Sequence, residues 1–276
     1  MIKFMVDSAS DRRPSDPNID YFIPITVSID SKEYRSGVDL DSDAFYGLLQ
    51  QAEEFPRTSQ PSPQEFLDIF QQVRDSGDSL IYFSLSSALS GTYQGACIAR
   101  EMAECDRIHI IDTKTASHLI GVLLDYAAGL REEGLSAREI AEKCEALKSR
   151  VKVVAGVDTL EYLYKGGRLS RASAAVGEIA GIKPIVTVKE DGSVTTAGKC
   201  LGRGRAMQFL VDRVSALTPD PDFPVYTLYT CGQENVEKLE QKLSQSGIPV
   251  ARRLQIGPTI GAHVGPGVYG ILFVCE

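Results

Sequence analysis

Four short segments of this chain are rich in serine, threonine and aspartate, which hydrogen-bond small polar ligands. They lie at residues 7–11, 58–62, 86–94 and 112–113. Hydroxyls and backbone amides beside helix N-termini can bind an anion of modest charge, such as a carboxylate. Each segment alone would also serve as an ordinary helix cap. We expect a binding site because several of these segments can converge at one edge of an open α/β sheet.

A glycine-rich segment near the C-terminus, residues 257–267, is a second candidate. Its glycines allow a tight backbone path close to a ligand, and His263 lies in its middle. A lone histidine is either a structural hydrogen-bonding group or a catalyst, and the sequence leaves both open. The chain has only two other histidines, His109 and His118, and no cysteine–histidine spacing typical of zinc. We therefore expect no metal site.

Three cations, Lys165, Arg168 and Arg171, follow a predicted short helix. They are either a solvated helix end, where positive charge complements the helix dipole, or a docking patch for an anionic group or an acidic partner. Residues 172–182, which come next, are mostly small and apolar. They leave room for an apolar ligand or form an ordinary closely packed helix.

Several classes of protein are excluded by composition and motif. The chain has 276 residues and a formal net charge of −8, which argues against a binder of nucleic acid that needs a broad basic face. Neither the P-loop pattern nor a G-x-G-x-x-G after the first strand occurs, so we expect no nucleotide cofactor of those kinds. No apolar run is long enough to span a membrane, and the first residues indicate a strand and not a signal peptide.

The same composition indicates a globular cytoplasmic protein. Of the residues, 43% are hydrophobic and 24% are charged, which is close to the globular average. The six cysteines contain no C-x-x-C pair, so we expect reduced, partly buried thiols, with a reactive cysteine as the less favoured alternative.

The hydrophobic pattern predicts an α/β fold in two lobes. In the first half, predicted strands 2–7, 22–29, 79–85 and 107–111 alternate with helices 42–54, 63–76, 89–104 and 115–133, as in a parallel sheet with flanking helices. Capping boxes begin at Ser62 and Ser136. In the second half, Asp191-Gly192 predicts a hairpin among β-α-β units, hence a mixed sheet. We expect an N-terminal lobe over 1–150 and a C-terminal lobe over 151–276.

The ordered set of motifs resembles the DegV family from about residue 3 to the C-terminus. Any one of these fragments is weak, but their order and spacing together are highly specific. The residues that carry the resemblance are Asp7-Ser8, Thr58-Ser59-Gln60-Pro61-Ser62, Ser86-Ser87-x-Leu89-Ser90-Gly91-Thr92-Tyr93, Asp112-Thr113, Tyr162-Leu163-x-Lys165-Gly166-Gly167-Arg168, Lys183-Pro184-Ile185 and His263-Val264-Gly265-Pro266-Gly267.

The resemblance implies a bacterial cytoplasmic protein that encloses a long-chain fatty acid between two α/β lobes. It also implies presentation of that lipid to a separate ATP-dependent fatty acid kinase, which phosphorylates the carboxylate for phospholipid synthesis. Carried over by motif, Thr58 and Ser90 would hydrogen-bond the carboxylate, and Ser87 and His263 would complete the polar network. Arg168 would lie at the mouth of the site or on the surface that the kinase meets. No cofactor and no catalytic residue are implied.

Two alternatives come from other classes of protein. The first is a hydrolase or acyltransferase with Ser87 or Ser90 as nucleophile, His263 as base and Asp7 or Asp112 as its orienting group. The segment around Ser90 lacks the G-x-S-x-G elbow of such enzymes, which weakens this alternative. The second is a regulatory or scaffold protein in which a lipid is only a structural ligand, and the sequence does not distinguish it from a carrier.

Overall fold

A computed structural model describes residues 1–170 and 181–276 of the chain. Arg171 and nearly all of the predicted small-residue segment 172–182 lie outside the described residues. The elements of the first half are β1 (Ile2–Asp7), β2 (Tyr21–Ile23), β3 (Thr26–Ile29), β4 (Lys32–Arg35), α1 (Ser42–Leu49), β5 (Arg57–Ser59), α2 (Pro63–Ser76), β6 (Ser79–Ser84), α3 (Thr92–Ala103), β7 (Ile108–Asp112), α4 (His118–Glu132) and α5 (Ala137–Leu147). Those of the second half are β8 (Val151–Gly156), α6 (Glu161–Lys165), β9 (Ile182–Val188), β10 (Val194–Leu201), α7 (Arg203–Ala216), β11 (Tyr226–Tyr229), α8 (Glu234–Gln245), β12 (Arg252–Gln255), α9 (Pro258–Val264) and β13 (Tyr269–Val274).

The first half is built on a four-stranded parallel sheet in the order β2-β1-β6-β7. Its central strands are almost continuous apolar runs, as a sheet covered on both faces requires. Phe66, Phe70 and Tyr82 form a core with α2 and α3 on one face, while α4 and α5 cover the other. Both predicted capping boxes are present, at Ser62 and Ser136. The predicted parallel sheet with flanking helices is confirmed.

The expected single strand over 22–29 is wrong. Its first part, β2, pairs in the parallel sheet, and its second part, β3, joins β4 and β5 in a small antiparallel sheet. Pro24 lies between them and has no N–H for a strand ladder. The next N–H, of Ile25, donates to Ser8 Oγ at 2.9 Å instead of to a strand.

The second half holds a mixed six-stranded sheet in the order β10-β9-β8-β13-β11-β12. The pair β11–β12 is parallel and the other neighbours are antiparallel. The predicted hairpin at Asp191-Gly192 connects β9 to β10. Within the glycine-rich segment 257–267, α9 occupies residues 258–264 and Pro258 stands in its first turn, a helix that was not predicted from the sequence.

One hydrophobic core runs through both halves. It joins Phe4 and Ile81 of the parallel sheet to Val186 and Leu272 of the mixed sheet. The boundary at residue 150 remains a prediction. All six cysteines are free, and each is buried or half-buried. Among the described residues, we find no helix with the length and apolar character needed to cross a membrane.

Candidate functional site

A cavity of about 460 Å³ lies between the two halves of the chain. Its wall is mainly apolar, and the polar side chains of Thr58, Ser90, Arg168 and His263 lie together at one end, the polar end. Val153 and Ala155 of β8, and Val157 just after it, face the cavity because alternate residues of an extended chain share one face. The other apolar lining residues are Ile25, Leu85, Leu89, Ala116, Leu119, Leu163, Val186, Val188, Val194, Leu228, Ile256, Ile260, Val264 and Val268.

Thr58 and His263 form the centre of the polar end. Thr58 lies on the edge strand β5, where it pairs with Val27, and His263 lies in the last turn of α9. The two meet through a hydrogen bond of 2.8 Å between Thr58 Oγ1 and His263 Nε2. The prediction that these two residues share a polar site therefore agrees with their placement, although 205 positions separate them in the chain.

The imidazole of His263 is buried and neutral near pH 7. Burial, followed by the positive charge of Arg168, lowers the pKa of His263 to about 4. Its Nδ1 is buried and has no hydrogen-bond partner among the described residues. The ring fits because residue 166 is glycine: a Cβ there would lie 2.3 Å from Nδ1. Glycine at position 166 therefore lets the ring pack with this nitrogen against the backbone.

Ser90 and Arg168 bring the two halves together at the same end. The Ser90 hydroxyl lies 2.8 Å from Thr92 Oγ1, at the start of α3. Arg168 Nε donates to the carbonyl of Leu89 at 2.9 Å, and its guanidinium also donates to the carbonyl of Gly166. Burial lowers the pKa of Arg168 from its usual value, yet the group remains a cation. Both side chains line the cavity, as expected for Ser90 and for a residue at the mouth.

Ser87 is placed differently from the expectation. It is exposed, and it does not line the cavity. Its N–H donates to Asp112 Oδ1 at 3.1 Å, and its hydroxyl accepts from Lys114 Nζ at 2.9 Å. The expected role of Ser87 in the carboxylate network is therefore corrected. The serine follows β6 as the pattern indicated, but the turn through Ser86 to Ser90 directs only Ser90 to the cavity.

An outer cavity of about 700 Å³ shares Thr58, Arg168 and His263 with the inner one. Phe55 lies in its wall, and Lys165 Nζ stands 3.8 Å from the centre of the Phe55 ring. The outer cavity therefore gives access to the polar end of the inner cavity, and the route does not pass through the apolar part.

Further polar residues of the lining were not assigned to the site from the sequence. Thr259 Oγ1 lies 2.9 Å from Ser8 Oγ, and both are buried. Ser117 lines the cavity with a φ of 61°, a rare conformation for a residue with a side chain, and its hydroxyl donates to Asp11. Burial raises the pKa of Asp11 to about 7. The starts of the helices at Pro258 and His118 are the sequence signals that could have assigned Thr259 and Ser117 to the site.

The residues of the alternative serine mechanism are not assembled. Asp7 accepts from the Tyr82 hydroxyl at 2.8 Å and from the Leu85 N–H at 2.9 Å, and burial raises its pKa to about 6. Asp112 is bonded to Ser87 and Lys114. In the described part of the chain, the hydrogen bond of His263 goes to Thr58, and neither carboxylate is its partner.

The fold and the cavity define an α/β protein with two large sheets, one small antiparallel sheet and an internal, mainly apolar cavity that has a polar end. The chain matches the family model described as "Uncharacterised protein, DegV family" over residues 1–276. It is 36% identical over 256 residues to a DegV domain-containing protein of Caldanaerobacter subterraneus, covering 92% of this chain and 90% of that one. The chain belongs to the DegV family.

Two solved structures are similar over their whole length. One, described as fatty acid binding of a DegV family protein from Thermus thermophilus, has a TM-score of 0.88 and 29% identity and covers 100% of this chain and 99% of its own. The other is a stearic acid-binding protein from Eubacterium ventriosum, with a TM-score of 0.87 and 25% identity. The match covers 100% of this chain and 98% of that one. The predicted family and fold class are thus confirmed.

Proposed function

We propose that this protein binds a long-chain fatty acid, with the acyl chain in the inner cavity and the carboxylate beside Thr58, Ser90 and His263. The observation that carries the proposal is the mainly apolar cavity of about 460 Å³ in which Thr58, Ser90, Arg168 and His263 lie together at one end. An acyl chain gains about 0.8 kcal/mol per buried CH₂ group, so the apolar wall supplies most of the affinity. The related structures described with fatty acids support the same ligand class.

The polar end suits a carboxylate that must be held and then modified. Hydroxyls at Thr58 and Ser90 can donate to it, and Arg168 places one half-buried cation at the same end. His263 is neutral there, so the carboxylate meets one positive charge and not two. A carboxylate in this setting is a stabilised anion that remains within reach of the outer cavity.

We further propose that the protein itself is not a catalyst and that an ATP-dependent fatty acid kinase phosphorylates the carboxylate from the outer cavity, in the cytoplasm. The outer cavity shares three residues with the inner one, which supports access from that side. Hydrolysis by Ser90 and His263 is disfavoured because their hydrogen bonds go to Thr92 and Thr58. In this proposal, no cofactor is needed apart from the lipid ligand.

The ligand can be identified by denaturing mass spectrometry of organic extracts from freshly purified protein. We expect about one long-chain fatty acid per chain. A preparation that contains no fatty acid and takes up none on incubation, or one that holds a phosphorylated small metabolite instead, would contradict the proposal.

The partner can be tested with a purified bacterial fatty acid kinase, ATP and the lipid-loaded protein. We expect acyl phosphate only when all three are present. If the protein adds nothing to the rate of the kinase alone, the lipid has a regulatory or structural role instead, and the presentation proposal is wrong.

A further inference from the structure

The apolar end of the inner cavity lies far from His263 along strand β8. The Gly156 end of β8 pairs with Tyr269, at the start of β13 and shortly after α9. Val153 lies four residues from Val157, or about 13 Å along an extended strand. A ligand whose carboxylate is beside His263 would therefore direct its methyl end toward Val153.

At this apolar end the mixed sheet opens between two of its strands. β8 and β9 pair through Val154–Thr187, Ala155–Val186 and Gly156–Ile185. The next pair in this antiparallel register would be Val153 with Val188, but the pairing stops before it. β8 continues along β13 and β9 continues along β10, so each strand is still held on its other side.

The separation of the strands leaves no unpaired carbonyl at Val153. The hydroxyl of Thr187 donates to the Val153 carbonyl at 2.7 Å and takes the place of a backbone donor. The gap is therefore part of a hydrogen-bonded arrangement and not simply the frayed end of a strand pair.

Two surface clefts meet the inner cavity at this gap. Val153 and Val188 line the inner cavity, and the same two residues line a cleft of about 610 Å³ and a smaller one of about 60 Å³. Both valines are half-buried. Lys152 and Lys189 stand in both clefts, and their aliphatic stems can cover apolar groups while the ammonium groups stay in water.

We propose that the gap between Val153 and Val188 is a second opening, through which the methyl end of a very-long-chain fatty acid passes to the surface. This inference rests on the proposed function and extends its ligand class to straight acids such as docosanoic acid. The head would remain at Thr58 and His263, and the last methylenes would lie along the stems of Lys152 and Lys189. Affinity would then level off with chain length and would not collapse beyond a limit.

The test compares tetradecanoic, octadecanoic and docosanoic acids, delivered from cyclodextrin, on the full-length protein and on Val188→Trp. For the wild type we expect docosanoic acid to bind within about threefold of octadecanoic acid. In Val188→Trp the indole fills the gap, so docosanoic acid should lose at least about tenfold while tetradecanoic acid changes by less than about threefold. Retained binding of tetradecanoic acid shows that the variant is folded.

Two further variants sharpen the comparison. Val153→Phe narrows the gap from the opposite strand and should give the same cutoff. Val38→Trp makes the same exchange at an exposed valine that lines neither the inner cavity nor either cleft, and should leave the length profile unchanged.

The outcomes separate this inference from the proposed function. If the wild type binds octadecanoic acid but rejects docosanoic acid, or if Val188→Trp keeps the wild-type profile, the second opening is wrong and fatty acid binding stands. If the wild type binds no acid of any length, the proposed function itself is wrong, and so is the second opening.

Discussion

The side chains at the polar end of the cavity control one another's charge. Arg168 is a half-buried cation, and its field helps to keep the nearby imidazole of His263 neutral. The site therefore presents one positive charge, two hydroxyls and an uncharged nitrogen in an apolar cavity. Such a set can orient the carboxylate of the proposed ligand, whose lipid tail would supply most of the binding energy.

Removing the Thr58 hydroxyl should weaken binding of fatty acid without unfolding the protein. Thr58→Val keeps the shape of the side chain but removes one hydrogen bond, so we expect an affinity loss of about three- to tenfold by equilibrium titration. Ser87→Ala is the matched control, because Ser87 lies outside the cavity, and it should bind as the wild type does. Equal affinities for the wild type and Thr58→Val would show that the carboxylate lies elsewhere.

Two buried histidines should make the protein less stable in acid. Burial lowers the pKa of both His118 and His263 to about 4. Between pH 6.5 and about 4 the unfolded chain therefore binds protons that the folded chain does not, so stability is full above this range and falls within it. In His118→Gln the loss of unfolding free energy between about pH 7 and pH 4.5 should be smaller by about 2 kcal/mol.

Urea unfolding of both proteins at the two pH values measures this difference. Burial raises the pKa of Asp11 to about 7, which gives a stability change of the opposite sign. Asp11 Oδ2 lies 4.0 Å from His118 Nε2, so the same comparison in an Asp11→Asn background separates its contribution from that of His118. Parallel pH profiles would show that His118 titrates normally in the fold.

At the scale of elements, the hairpin β9–β10 connects the two halves through its turn. Gly192 is buried with a φ of 87°, and its carbonyl accepts from Ser86 Oγ at 3.0 Å. A Cβ at this position would lie 2.1 Å from Ser86 Oγ and 3.1 Å from the Cα of Lys114. The turn therefore requires glycine for both its backbone conformation and its contact.

Gly192→Ala should destabilise the protein more than a matched glycine substitution. Gly247 has a similar φ of 74°, but nothing lies within 4 Å of the position of its Cβ. Both variants incur backbone strain of about 1 kcal/mol, and Gly192→Ala should lose at least about 1 kcal/mol more because the two halves must move apart. Urea unfolding followed by far-UV circular dichroism measures both. Equal losses would mean that the Ser86 contact contributes nothing.

Elements with strong local signals could be predicted from the sequence, and those set by distant contacts could not. The proline and capping box at Ser62 predict α2 over 63–76, the bounds that it has. The segment 22–29 has strand propensity throughout, but its division depends on Ser8, which accepts the N–H of Ile25. The glycines of 257–267 do not indicate a helix, although α9 lies in this segment. They are required because the segment closely approaches Tyr46 and Tyr162.

For the candidate site, too, residues within local motifs could be predicted, while the directions of side chains set by distant contacts could not. Thr58, Ser90 and His263 were found through motifs, and the cavity contains all three. Ser87 could not be separated from Ser90 by sequence, because the course of one turn decides which hydroxyl faces inward. The position of Arg168 inside the cavity depends on its bond to the Leu89 carbonyl, a contact across 79 positions of the chain.

At the scale of the whole molecule, the shared core predicts a single cooperative unit. The largest cluster of buried residues joins both large sheets, while each half adds a smaller cluster of its own. We expect one calorimetric unfolding transition, with the calorimetric enthalpy equal to the van't Hoff enthalpy. Two separated transitions would show that the division at residue 150 marks independently folding domains.

Thr58, Arg168 and His263 face both the inner and the outer cavity. A phosphoryl group added to the carboxylate would therefore extend into the outer cavity, and every methylene would stay where it was. Since the methylenes supply most of the binding energy, acyl phosphate and fatty acid would compete for the protein on nearly equal terms. In the proposed reaction, released acyl phosphate would then rebind as readily as fatty acid binds, so turnover would require unreacted fatty acid in excess over the product.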